Sequence, residues 1–143
     1  MSVRSDNDVF TIQAPGHLDW LLEDFVGRVP GASSAVLASG DGLRLAVHGL
    51  DEVQRDHLSA IVTGLVSLAR GVGEVAHEPH GGRVRQVVVE HDAALLFVAA
   101  AGQSTVLGVL ADRDADAGIV GHEMTTLVAS VADHLGTAVR TTP

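Results

Sequence analysis

Cysteine is absent from the 143 residues, which removes thiol nucleophiles, disulfide frameworks, zinc fingers and iron–sulfur clusters together. Lysine is absent too, so there is no P-loop lysine, and no G-x-S-x-G elbow occurs. Aromatic platforms are scarce, with one Trp, three Phe and no Tyr. Positive charge is scarce as well: nine basic residues, all Arg, face eighteen acidic ones, and the net charge is −9. Such a surface repels phosphate backbones and anionic lipid, so no nucleic-acid partner is expected. Residues 93–111 carry no charge over nearly a membrane-span length, but Gly102-Gln103-Ser104-Thr105 cuts them into two short apolar runs. Two strands and a turn explain that pattern, and no membrane insertion is expected. The first ten residues, MSVRSDNDVF, lack the apolar core of a signal peptide, which points to a cytoplasmic address.

What is present is a chain 46% hydrophobic, long enough for one domain that buries roughly 70% of its unfolded surface without metal or disulfide staples. Residues 1–14 read as a flexible arm, 15–140 as a single domain and 141–143 as a tail. Leu18, Leu21, Leu22, Phe25, Val26 and Val29 form one stripe of an amphipathic helix over residues 17–29, ended by Pro30-Gly31. Two short apolar runs, residues 32–39 and 43–48, flank the hairpin signal Ser39-Gly40-Asp41-Gly42. Asp51 caps a second helix that runs to about Arg70 and is stopped by Gly71 and Gly73. Strand-like runs follow at 83–90, 94–100 and 105–111, joined by turns too short for anything but antiparallel neighbours. A last helix places Val120, Met124, Leu127, Val128, Val131 and Leu135 on one face, with residues 136–143 fraying away. The order α-β-β-α-β-β-β-α predicts an α+β domain with a five-stranded, mainly antiparallel sheet.

Several near-motifs dissolve on inspection. Gly71-Val72-Gly73-Glu74-Val75-Ala76 fits G-x-G-x-x-A but follows a helix instead of joining strand to helix. His122-Glu123 opens like a zincin motif, yet Thr126 stands where the second His is required. His77 and His80 have no third ligand near in sequence and read as solvated histidines. Residues 112–123 place Asp112, Asp114 and Asp116 at positions 1, 3 and 5 of a calcium loop and Glu123 at position 12. Against calcium, Ala117 occupies the position of the sharp-turn Gly, and a strand precedes the loop. The plainer expectation is an acidic loop that caps the last helix. No catalytic residue, cofactor site or metal site is assigned.

The second helix is the informative segment. Val53, Leu58, Ile61, Val62, Leu65, Val66, Leu68 and Ala69 cover far more than a one-sided stripe. Between them Ala60, Gly64, Ser67 and Gly71 recur as a stripe of small residues that permits close backbone approach. A helix apolar on two sides must be covered twice, by its own sheet and by either another internal helix or a partner subunit; the partner is the preferred reading. The run Arg83-Val84-Arg85-Gln86-Val87-Val88-Val89-Glu90 reads as a Val-rich edge strand able to pair with another chain. Ala60, Gly64, Ser67, Gly71, Arg83, Arg85, Val87 and Val89 are therefore the expected dimer interface.

These stretches resemble the roadblock/dynein light chain family, particularly its bacterial single-domain, actinobacterial members. The resemblance covers about residues 16–140. It is carried by Leu18-Asp19-Trp20-Leu21-Leu22, Val29-Pro30-Gly31, the run from Ala35 through Ser39-Gly40-Asp41-Gly42-Leu43, Gln86-Val87-Val88-Val89, Leu95-Leu96-Phe97-Val98 and Leu107-Gly108-Val109-Leu110. It implies one helix on one sheet face and two on the other, and a homodimer formed through the second helices and third strands. It also implies binding and regulation of a small Ras-like GTPase without an arginine finger, in some cases alongside a sensor histidine kinase. The alternative is a scaffold or sensor module that serves a histidine kinase or a small ligand without touching a GTPase.

Overall fold

The computed structural model describes residues 18–80, 82–102 and 104–140, with side chains through residue 135; the expected arm at 1–14 and tail at 141–143 lie outside the described residues. Its elements are α1 (Asp19–Arg28), β1 (Ala32–Ser39), β2 (Arg44–His48), α2 (Glu52–Arg70), a single turn α3 (Val72–Val75), β3 (Val87–Glu90), β4 (Ala94–Ala100), β5 (Thr105–Asp112) and α4 (Ala117–Arg140). The five strands form one antiparallel sheet in the order β2-β1-β5-β4-β3. The expected α+β fold, with one long helix on one face and two on the other, is the fold observed.

Side-chain alternation along the central strands divides the interior into two cores. Ala35, Leu37, Leu95, Phe97, Ala99, Leu107 and Val109 face α1 and α4, where Leu22, Phe25, Val120, Met124, Leu127 and Val131 meet them. Val36, Leu96, Val98 and Val106 face the opposite way and are covered by Leu58, Val62 and Val66 of α2. The stripe read along residues 17–29 is thus the buried face of α1. The chain leaves that helix through Gly31, whose φ of +89° and contact with Ala115 leave no room for a side chain.

Local chemistry sets the ends of α2. Asp51 accepts the Gln54 N–H at 2.8 Å while the Gln54 side chain accepts the Asp51 N–H at 3.0 Å, a reciprocal capping box. At the β1–β2 turn the Ser39 hydroxyl donates to Asp41, and with the Leu43 N–H it holds the Asp41 carboxyl below the usual carboxylate range.

The second helix ends at Arg70 with Gly71 as its C-cap, as expected; Gly71 keeps right-handed angles, φ −64° and ψ −18°, and Gly73 lies within the short turn α3. Two expectations need correction. The third strand begins at Val87 rather than Arg83, because the ladder to β4 opens with Val87 opposite Val98 and Gln86 instead reaches toward Gly121 of α4. The last helix does not fray at 136 but continues to Arg140.

Candidate interaction surface

The inner face of α2 lies unusually close to the sheet. A Cβ built on Gly108 of β5 would stand 2.5 Å from Val62 Cγ1, so glycine at that position lets the helix seat. Among the described residues the outer face has no such partner. Val53, Leu68, Val72 and Val75 are 64–80% exposed and Ile61 is 40% exposed. At about 100° per residue Val53, Leu68 and Val75, together with Ala60, Gly64 and Ser67, lie roughly opposite Leu58, Val62 and Val66, while Ile61 and Val72 lie on one flank. Ala60, Gly64 and Ser67 are exposed and Gly71 is half-buried. Nothing lies within 4 Å of a Cβ built on Gly64, so no contact among the described residues calls for glycine there. Among the described residues no other helix gives this helix its second covering, since α1 and α4 both pack on the other side of the sheet.

The same segment, Glu52–Val75, is long and apolar enough to cross a membrane by length and composition, yet only 22% of its most apolar window is buried. Its inner face is occupied by the sheet, so the apolar remainder is a surface of the folded domain and not a free span. Residues 93–111, the stretch singled out by its lack of charge, are instead β4, a turn and β5.

The two sheet edges differ. At β2 the Val47 N–H donates to Asp19 Oδ1 of α1 at 2.9 Å, so a helix side chain takes up an edge donor. Among the described residues no side chain caps β3. Val87 and Val89 turn their side chains under α2, which leaves only their backbones for pairing, and Val88 is 44% exposed on the opposite face. Arg83 and Arg85 are exposed in the extended segment before the strand. The eight expected interface residues therefore divide into an outer helical stripe and an uncapped edge with its lead-in.

Sequence reading missed one member of this surface. Arg70, at the end of α2, lines the same crevice as Arg83 and Arg85, beside Ala69, Val72 and Ala76. The local signal was a cation in the last helical turn; its meeting with residues thirteen and more positions later depends on the fold.

The remaining polar motifs have structural roles. Asp116 caps α4, accepting the Ile119 N–H at 3.1 Å. Glu123 is bound by Arg28 Nη1 at 2.6 Å, and Arg28 Nε also donates to Asp24 at 3.0 Å. These two carboxylates raise the Arg28 pKa above its already high ordinary value. Residues 112–123 thus spend two of their acids on a cap and an ion pair. Among the described residues no group of three or more His, Asp or Glu is placed to hold a metal. His77 and His80 lie in the exposed loop after α3, where the His80 N–H donates to Glu78. The glycine-rich residues 71–76 hold the single helical turn α3 directly after α2.

Comparison with known proteins gives one consistent result. The family model for the Roadblock/LC7 domain matches residues 18–111. A Roadblock/LC7 domain from Streptomyces avermitilis is 53% identical, with a TM-score of 0.76 over 82% of this chain and 97% of that one. A second Streptomyces avermitilis Roadblock/LC7 domain is 31% identical, with a TM-score of 0.65 over 80% of this chain and 98% of that one. The gliding protein MglB from Thermus thermophilus, 21% identical with a TM-score of 0.70 over 80% and 85% of the two chains, shares the fold. No curated protein is a significant match. With two thirds of its length under the family model and a relative above half identity, the chain belongs to the Roadblock/LC7 family.

Proposed function

We propose that this chain is a homodimeric, non-catalytic regulator of a small Ras-like GTPase in a bacterial signalling system, acting in the cytoplasm. One observation supports the dimer: the outer face of α2 is apolar, includes Gly64, which meets nothing among the described residues, and is left bare by the described part of the domain. Exposed apolar surface of this kind marks an interaction site. The uncapped β3 edge supplies a second element for a partner to join. The choice of a GTPase as the regulated partner rests on family membership. The chain's part would be to bind and reshape that partner, and no residue of its own is assigned to phosphoryl transfer.

The deciding experiment immobilises the protein and passes over it the small GTPase encoded nearest its gene, loaded with GDP or with a non-hydrolysable GTP analogue. Preference for the GTP-loaded form is the expected result and leads to a hydrolysis assay. Equal binding to both forms, or none, would refute the GTPase assignment and leave a dimeric scaffold.

A further inference from the structure

Acids outnumber bases two to one in this chain, eighteen to nine, yet three arginines meet in one crevice with no carboxylate to neutralise them. Arg70, Arg83 and Arg85 are exposed and line a cleft of about 340 Å³ between the end of α2 and the extended segment leading to β3. Elsewhere arginines are used within the chain: Arg28 pairs with Asp24 and Glu123, Arg44 pairs with Asp56 at 2.7 Å, and Arg113 donates to the Asp92 carbonyl. Among the described residues Arg70, Arg83 and Arg85 form no ion pair. The one carboxylate on the cleft wall, Glu78, accepts the His80 N–H instead.

The backbone sets how these charges are spaced. Val87 and Val89 turn beneath α2, and Gln86 reaches toward Gly121 of α4 on the opposite face of the sheet. Carried back along the extended segment, the same alternation puts Arg85 and Arg83 on the α2 side and Val84 on the other. Alternate residues of an extended chain stand about 6.6 Å apart, so the two guanidinium groups are rooted at that interval along one face. Arg70 adds a third cation from the helix end. A single carboxylate or phosphate is far smaller than this interval, whereas carboxylates at alternate positions of an extended peptide repeat it. Each guanidinium can hold one of them through two parallel N–H donors. The segment also stands clear of the sheet: among the described residues 82–86 form no ladder with β4 and no other backbone hydrogen bond. An extended ligand therefore finds main-chain donors and acceptors beside the arginines.

We infer that the Arg70–Arg83–Arg85 cleft is a binding site for an extended acidic segment of a partner protein, one that carries Glu or Asp at alternate positions. The site requires neither a GTPase nor the dimer, and it gives Arg83 and Arg85, expected from the sequence as dimer contacts, a different ligand. Net charge sharpens the selection. At −9 the chain repels an acidic peptide at long range, so such a peptide binds only where positive charge is locally unopposed. At about 0.15 M salt the Debye length of roughly 8 Å shortens that repulsion and leaves direct contacts in the cleft. Exposed pairs of this kind are individually weak, and their effect comes from three acting on one ligand.

The test titrates a fluorescently labelled peptide, Glu-Thr-Glu-Thr-Glu between flanking glycines, with the full-length chain at about 0.15 M salt and reads its anisotropy. The isomer Glu-Glu-Glu-Thr-Thr has the same charge without the interval and should bind on the order of fivefold more weakly. Arg83→Ala with Arg85→Ala should weaken binding of the alternating peptide by on the order of tenfold, and Arg70→Ala by a smaller factor. Arg44→Ala with Arg113→Ala removes the same charge elsewhere and should change the affinity by no more than about twofold. Circular dichroism confirms that each variant is folded, and sedimentation equilibrium follows its oligomeric state. Failure of the alternating peptide to bind, equal binding of the two isomers, or an equal loss in the Arg44 and Arg113 control would overturn the inference. Inorganic phosphate that displaces the peptide at an equal or lower concentration would overturn it in favour of a single-anion site. A variant at Arg83 and Arg85 that loses the peptide together with its oligomeric state would overturn it in favour of a subunit contact.

Discussion

Gly108 is the residue on which the seating of α2 depends. It lies mid-strand in β5, where glycine has no conformational advantage, and its service is the space it leaves for Val62. A methyl group there would overlap a short, branched side chain that has little freedom to withdraw. Gly108→Ala should therefore cost about 1–3 kcal/mol by overpacking, read as a lower urea midpoint with an unchanged slope. Val62→Ala leaves a cavity of its own, but in the double variant the two defects relieve one another. The pair should show favourable coupling on the order of 1 kcal/mol in a double-mutant cycle, and simple additivity would refute the packing explanation.

At the scale of elements, the capping box of α2 connects sequence to structure most directly. Asp51→Ala removes the acceptor for the Gln54 N–H and should cost about 0.5–2 kcal/mol, seen as a lower melting temperature with the helical signal kept. The Asp51 cap was readable because capping involves residues three apart. The Pro30-Gly31 exit and the alternation of the central strands were readable for the same reason: each is a local rule. The start of β3 was not. Residues 83–90 alternate as a strand should, but pairing requires β4 opposite, and the ladder begins only at Val87. The end of α2 at Gly71 was readable, and Gly71 caps the helix with right-handed rather than left-handed angles. The outer stripe was found from composition because exposed apolar residues violate the usual helical pattern. The crevice beside it was not, because Arg70, Arg83 and Arg85 meet only in the folded chain. The same applies to Arg28 and Glu123, ninety-five positions apart, and to Asp19 at the Val47 edge donor.

At the scale of the whole molecule, asymmetry is the informative property. Among the described residues one face of the sheet is closed by α1 and α4, while the other is closed by a single long helix whose back is apolar. One sheet edge has a donor taken up by Asp19, and the other has no side-chain cap among the described residues. A monomer has no use for either bare feature, and leaving both would invite uncontrolled association. A closed two-fold assembly uses each patch once per subunit and stops growing. Gly64→Arg discriminates between these states. The open space over Gly64 lets the single chain accept arginine, and replacing a mid-helix glycine should even favour the helix by roughly 0.5–1 kcal/mol. In a dimer the same side chain would have to be driven between two closely packed backbones. Gly64→Arg should therefore halve the solution mass while the far-ultraviolet spectrum is preserved. The melting temperature of the wild type should rise with protein concentration, and that of the variant should not. An unchanged mass would place the interface away from Gly64.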